Sequence, residues 1–287
     1  MIQKVLLTNS RGDIALAASS RELDHRNEFW VDGTPTGWYG GFSMRGENEE
    51  RLGHGSFPTT RTRSARTLEV KAKIKLDSWD HANYVMRQLS AALADGEQGE
   101  LTVEETGVPA LTAVVERTGE VLIARTSPSA FTVSIPLTAP DPEMHTPWRE
   151  TTLQPVGAGV GMEFPFLSRD LGRGPVVTFG TAIATDEWVW NEGNAQSAPV
   201  FTVVADSAGF AVGVGDRRVT YPWPTYQDIP VTVDMAGAVY VGGVDQSHLL
   251  GERGWGTVPP GGIEPVSFNF LSGGSGWATV RHRDTYI

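Results

Sequence analysis

From Leu68 to Leu76 apolar and charged residues alternate without a break. Leu68, Val70, Ala72, Ile74 and Leu76 share one parity, and Glu69, Lys71, Lys73 and Lys75 share the other. Successive side chains of a strand point to opposite faces, so the run predicts a strand with one buried face and one wet face. Directly after it the period changes. Trp79, Ala82, Met86, Leu89 and Leu93 recur at three- and four-residue steps, which places them on one stripe of a helix. Asp77 or Ser78 can cap its start, and Gly96 offers a left-handed residue to end it. No other segment has a convincing helical period.

The rest of the first half reads as short strands and turns. Leu101 and Val103 alternate with polar neighbours, and Leu111, Ala113 and Val115 run to Thr118-Gly119, a hairpin turn leading back through Val121 to Ile123. Phe131, Val133, Ile135 and Leu137 alternate again. Pro136 marks that run as an edge strand or the end of one, because proline cannot donate to a ladder. Phe29-Trp30-Val31-Asp32-Gly33 and Gly37-Trp38-Tyr39-Gly40-Gly41-Phe42 are strand-and-turn material. Between Arg45 and Arg66 lies a polar stretch with five arginines and little periodicity. It predicts an excursion from the body, a loop or an extended hairpin, and long excursions of this kind are usually functional or disordered.

Texture changes at Thr138-Ala139-Pro140-Asp141-Pro142, followed by Pro147, Pro155 and the Gly157–Gly161 run. This predicts a first domain over 1–145 and a second over 146–287, with a linker at about 140–175. The second half reads as β throughout, from Val176–Phe179 and Val189–Trp190 through Val200–Val204, Phe210–Val214, Val231–Val233 and Val239–Val241 to Pro265–Leu271 and Trp277–Val280. Turn residues separate these runs at the spacing of a sandwich. The fold class expected is therefore mainly β: a β-sandwich carrying one α-helix, then a second β-sandwich.

Composition narrows the function classes. The 287 residues suit two domains, and the 33 glycines and 18 prolines are spread as many turns require. No stretch approaches the roughly 18 consecutive apolar residues of a membrane span, and the apolar run at the N-terminus is too short for a secretory signal. The absence of cysteine excludes disulfides and thiolate metal sites. A net charge of −11 argues against general binding to nucleic-acid backbones, yet an acidic wall lets a polyanion pass without sticking.

Candidate chemistry is thin. His25, His54, His81, His145, His248 and His282 show no metal-ligand spacing, and His-Glu-x-x-His is absent. Gly157-Ala158-Gly159-Val160-Gly161 lacks both the dinucleotide and the Walker pattern, so it reads as linker. Ser275, in Gly273-Gly274-Ser275-Gly276-Trp277, fails the nucleophile-elbow pattern and reads as a turn before the last strand. Asp234 and Glu187 could belong to a glycosidase carboxylate pair, but nothing in the spacing sets them opposite each other. No catalytic, cofactor or metal residue is assigned. Five of the nine tryptophans, Trp188, Trp190, Trp223, Trp255 and Trp277, fall in the second half. Such rings fill sandwich cores and interfaces, or stack on sugars. Trp188 and Trp190 share a parity and are the candidate carbohydrate or interface contacts.

The order of these features is familiar. Trp30-Val31-Asp32-Gly33, the arginine-bearing excursion, the strand Leu68–Leu76, the single helix and the close in Ala139-Pro140-Asp141-Pro142 resemble the N-terminal domain of distal tail proteins from long-tailed (siphovirus) phages. Asn191-Glu192-Gly193-Asn194, Ala198-Pro199-Val200-Phe201, Val233-Asp234-Met235 and the ending Gly276–Ile287 resemble that family's galectin-like C-terminal domain, in the versions carried by phages of actinobacteria. The resemblance implies a tail-tube-like, ring-forming first domain in a ring, usually of six copies, at the distal end of the virion tail. It implies as partners other copies of the chain, the tail tube protein, the tail-associated hub protein of the tip, the tape measure protein and receptor-binding protein. DNA would only pass through the channel, made acidic if the carboxylates face it; no membrane, cofactor or catalytic residue comes with the family. The competing expectation is a carbohydrate-binding module for adsorption to the host cell wall.

Overall fold

The computed structural model describes residues 2–17, 27–52, 54–57, 59–155, 167–170, 174–177 and 187–287. The chain divides into two compact units, Met1–Pro147 with Tyr286–Ile287, and Trp148–Thr285. Both are built from strands.

In the first unit the body consists of β1 (Ile2–Asn9), β2 (Gly12–Ala17) and β3 (Glu28–Val31), then β8 (Arg66–Lys75), β9 (Gln98–Glu105), β10 (Leu111–Arg117), β11 (Leu122–Ser127), β12 (Ala130–Ala139) and β13 (Met144–His145). The short strands β4 (Met44–Arg45), β5 (Glu49–Glu50), β6 (Ser56–Phe57) and β7 (Thr62–Arg63) lie in the excursion. The main sheet runs β11-β12-β8-β3-β2-β1-β9-β10-β13, and a further pairing of β10 with β12 closes it on itself. Its two flanks thereby face each other around one core. The β8 pattern is realised residue by residue: Leu68, Val70, Ala72 and Ile74 are buried and the intervening charges point out. Phe131, Val133, Ile135 and Leu137 of β12 fill the same core beside Val5, Leu7, Leu101 and Val103. Each such buried side chain contributes roughly 1.5–3 kcal/mol of transfer free energy.

The helix α1 spans Trp79–Ser90, the one α-helix among the described residues. Ser78 is the cap, its side-chain oxygen accepting from the His81 N–H at 3.2 Å. Ala82 and Leu89 face the core and Met86 packs at its margin, as the stripe predicts. Trp79 does not: it is 57% exposed, with the Arg125 guanidinium 5.8 Å from its ring centroid. A first-turn residue has no preceding turn to hold it against the sheet. The helix also stops before Gly96. Ala91 is its C-cap, and Leu93 and Asp95 take left-handed φ of 48° and 62° before Gly96 at 77°.

One turn assignment changes. Thr118-Gly119 does not close a hairpin, because β11 pairs with β12 through Ile123↔Val133 instead of folding back on β10. β12 is an interior strand, paired with β8 along its whole length. Pro136 is accommodated there because β11 has ended at Leu122↔Ser134 and β10 joins only at Arg117↔Leu137. Locally that side of the strand is an edge.

The second unit is a two-sheet sandwich. One sheet has the order β14 (Arg149–Leu153), β26 (Gly274–His282), β18 (Val200–Ser207), β21 (Val231–Asp234), β22 (Ala238–Val241), β23 (Val244–Asp245). The other runs β17 (Glu187–Asn191), β25 (Gly262–Phe270), β19 (Phe210–Val214), β20 (Arg217–Tyr221), β24 (Glu252–Arg253). A separate antiparallel pair joins β15 (Leu167–Asp170) to β16 (Gly174–Val177). Phe201, Val203, Val233, Ala278 and Val280 from the first sheet meet Val189, Phe210, Val212, Val214 and Phe268 from the second.

Periodicity missed β14, which lies in the stretch expected to be linker, and β20, whose Arg217-Arg218 start masks the inward Val219 and Tyr221. Ser275 is inside β26, not in the turn before it. Residues 157–161 and 178–179 lie outside the described residues. The tryptophans are mostly not core: Trp188, Trp190, Trp223 and Trp277 are 38–49% exposed, and only Trp255 packs against the sandwich core. Valine and phenylalanine already fill the space between the sheets.

Candidate assembly and binding surfaces

The excursion after Phe42 is an extended hairpin. β4 pairs with β7 through Met44↔Arg63, and β5 with β6 through Glu49↔Phe57. Below them the Ser43 N–H donates to Ser64 Oγ at 2.8 Å, and near the tip the Arg51 N–H donates to the Gly55 carbonyl at 3.1 Å. Every residue of the four short strands is exposed, including Met44 at 51% and Phe57 at 52%, and Leu52 at the tip is fully open. Arg51 lies over the Phe57 ring at 4.5 Å. This is a thin two-stranded arm, marginal on its own in water, carrying apolar side chains that belong to neither hydrophobic core.

Its base, by contrast, is clamped. Arg66, at the start of β8, is fully buried. Its Nε donates to the Pro142 carbonyl at 2.9 Å and Nη1 to the Trp38 carbonyl, and Phe42 stacks on the guanidinium at 5.2 Å. Burial, then the nearby Arg63 charge, pushes its pKa down. The turn it holds, Pro35–Gly41, lies so close to β8 that a Cβ on Gly37 would stand 2.0 Å from the Thr67 carbonyl oxygen. Only glycine fits at that φ of +80° and that approach. Arg63 adds an ion pair to Glu143 at 2.9 Å.

Trp188 and Trp190 point to the same outer side of β17, where Val189 between them is buried. Their cross-strand partners on β25 are Pro265 and Ile263, both exposed, so the four make one small apolar patch. The two rings differ. Trp190 is held edge-on to His282 at 4.7 Å, with the Arg149 guanidinium 4.8 Å from its centroid. Trp188, 45% exposed, has no ring or cation partner among the described residues.

Beneath Trp190 lies a polar knot that sequence reasoning quoted only as a motif. Asn191 is buried; its Nδ2 donates to the Ala195 carbonyl at 2.7 Å, and its Oδ1 accepts from the N–H groups of Gly193 and Thr285 at 3.0 and 3.1 Å. Asp284 accepts from the Glu192 N–H at 2.8 Å and from both terminal nitrogens of Arg149. Despite burial, these donors hold the Asp284 carboxyl below its ordinary pKa. His282 is buried with neither ring nitrogen hydrogen-bonded, and burial followed by the Arg149 charge lowers it to about 4. The arrangement is built for rigidity: no nucleophile, base and oxyanion donors converge here.

Asp234 and Glu187, the sequence candidates for a carboxylate pair, lie in different sheets of the sandwich, on β21 and β17. One group among the described residues could hold a metal: Asp141, Glu143 and His145, with donor atoms all within 4.8 Å of one another.

Against known proteins, no family model matches the chain and no curated protein matches it. Solved structures do. The chain superposes on the SPP1 Dit protein, described as a paradigm of the hub adsorption apparatus in phages infecting Gram-positive bacteria. The TM-score is 0.57 over 99% of each chain, at 13% identity. A chain of the phage P2 baseplate, in its activated conformation with Ca, matches with a TM-score of 0.50 over 99% of this chain and 98% of the other, at 12% identity. The chain therefore shares its fold with the SPP1 Dit protein along its length, the mainly β architecture expected.

Proposed function

We propose that this chain is a structural virion protein that forms a ring at the distal end of a siphovirus tail tube, with the tube on one side and the tip, baseplate and receptor-binding parts on the other. The single observation that carries the reading is the whole-length likeness to a Dit hub, both units included. We assign the chain no catalytic step.

The arm gives the ring a physical means of closing. A closed ring needs heterologous contacts, one patch on a subunit meeting a different patch on the next. A clamped base with an exposed tip bearing Leu52 and Phe57 is suited to lie on a neighbour and bury those side chains there. Six copies are the expected number. For the channel, the outer side of β9 and β10 offers Glu100, Glu104 and Glu116, with Glu104 paired to Lys4, Glu100 to Thr8 and Val114, and Glu116 to Gln98. We infer that this acidic face borders the DNA path, with the tube protein, the tip hub and the tape measure protein as neighbours.

Mass measurement and negative-stain imaging of the purified chain test the reading. Rings are expected, and a strictly monomeric species at high concentration would count against it. Removing residues 46–63 is expected to abolish rings while both units stay folded.

A second reading is favoured by one observation, the outward Trp188 beside Trp190, Ile263 and Pro265. Exposed aromatic faces stack on sugars as well as on proteins, so the second unit could contribute to host cell-wall adsorption. Cell-wall pull-down lost on Trp188→Ala, with folding intact, would support it. Retention in the pellet unaffected by that change would leave the patch a protein contact.

A further inference from the structure

Three donors converge near the end of the first unit. Asp141, Glu143 and His145 alternate with Pro142 and Met144 along an extended segment that ends in β13. The intervening residues are tied inward: the Pro142 carbonyl accepts from buried Arg66, and Met144 is 1% exposed. Alternation along an extended chain turns the other three residues to a common side. The Glu143 N–H donates to Asp141 Oδ1 at 3.0 Å, which holds that carboxylate toward its neighbours, and His145 is fixed by pairing with Thr112. One donor atom from each lies within 4.8 Å of the other two. Ligands about 2.0–2.3 Å from a shared ion stand roughly 3–4.5 Å apart, so small side-chain rotations close the set. A cationic group already lodges against it, since Arg63 Nη1 is 2.9 Å from Glu143 Oε1.

We propose that Asp141, Glu143 and His145 form a site for a first-row divalent cation of the Zn2+ or Mn2+ kind, which competes with Arg63 for Glu143. One imidazole nitrogen with two carboxylate oxygens is a mixed donor set; the imidazole selects against Ca2+ and Mg2+, which take oxygen ligands, and three protein ligands leave room for water. Competition follows from charge, because guanidinium and ion are attracted to the same carboxylate. Arg63 belongs to β7, at the base of the arm. Occupancy therefore removes the ion pair fastening the arm to the body, and the cation becomes a regulator of the arm. The site lies outside anything the ring reading requires, and its test needs no assembly.

Calorimetric titration of the purified full chain with Zn2+ and Mn2+, with Ca2+ and Mg2+ as comparisons, reads the site. The expected result is one Zn2+ or Mn2+ site weakened at least about tenfold by His145→Ala and by Asp141→Asn, and tightened by Arg63→Ala. Hydrogen exchange at residues 44, 45, 62 and 63 should quicken when the metal is added. All three changes are at solvent-reachable positions, and circular dichroism verifies that each variant is folded. Equal affinity in the wild type and both ligand variants would overturn the site, as would a preference for Ca2+ or no binding at millimolar metal. Unchanged or weaker binding by Arg63→Ala, or unaltered exchange in the arm, would overturn the competition.

Discussion

Arg149 and Asp284, 135 residues apart in sequence, meet as a two-pronged ion pair: Nη1 and Nη2 of the guanidinium donate to different oxygens of one carboxylate. The Asp284 side chain is 4% exposed and Arg149 31%. Paired forks of this kind combine charge with fixed geometry. They join the first strand of the sandwich to the segment that follows its last, so the pair closes the second unit across its chain ends.

Removing one partner strands the other, and a deeply buried pair broken this way costs about 3–5 kcal/mol. Asp284→Ala is expected to lower the stability of the second unit by roughly 3 kcal/mol, toward the low end because Arg149 reaches solvent. Asp284→Asn should lose less, since an amide oxygen still accepts from Glu192 N–H. Scanning calorimetry of the two variants beside the wild type checks the order.

His282 sits against the same pair and gives the unit an acid limit. Its folded pKa, held down to about 4 by burial and by Arg149, is below the ordinary value of 6.5. Between those values the unfolded chain takes up a proton that the folded chain refuses. Stability is thus full above about pH 6.5 and falls as the pH drops toward 4, by on the order of 3 kcal/mol. Urea midpoints measured from pH 7.5 to 4 should show this decline. In His282→Leu, which keeps an apolar neighbour for Trp190, the decline should be shallower.

The knot also shows how far the sequence could be read. Asn191-Glu192-Gly193-Asn194 was recognisable as a motif, but its partners Thr285 and Asp284 are about ninety residues away, and no local period encodes such a pairing. A Cβ on Gly193 would lie 1.9 Å from the Thr285 carbonyl oxygen, an atom of the backbone that cannot turn aside. Gly193→Ala is therefore expected to cost several kcal/mol, in the range of a disrupted buried network, and Gly273→Ala, whose Cβ would meet nothing within 4 Å and whose backbone is not left-handed, clearly less. Thermal unfolding of both variants makes the comparison.

The helix was legible for the opposite reason: its signals are local. Alternation over Leu68–Leu76 and the three-to-four step after it both act within a few residues, and Ser78 caps where the period changes. The reading failed at Trp79, where a tertiary surface decides and the ring remains exposed, and at the C-terminus, where the helix ends at Ala91 before reaching Gly96. Ser78→Ala should cost about 1 kcal/mol and Ser78→Gly a few tenths, measurable as shifts in the urea midpoint of the first unit.

The arm separates folding from assembly most sharply. Leu52 and Phe57 are exposed and touch no core, so replacing them removes nothing that holds either unit together. Surface changes of this type stay within about 0.5 kcal/mol of the parent stability. Apolar anchors at the centre of an interface, by contrast, cost about 2 kcal/mol or more each when truncated. In a closed ring every subunit both lends an arm and receives one, so one substitution is felt at every interface. Leu52→Asp and Phe57→Ser should therefore leave the melting temperature of the isolated chain unchanged while shifting mass measurements from rings to single chains. Rings of undiminished stability in both variants would mean that the arm's apolar tip is not the ring contact. A drop in melting temperature instead would mean that the arm packs on its own body.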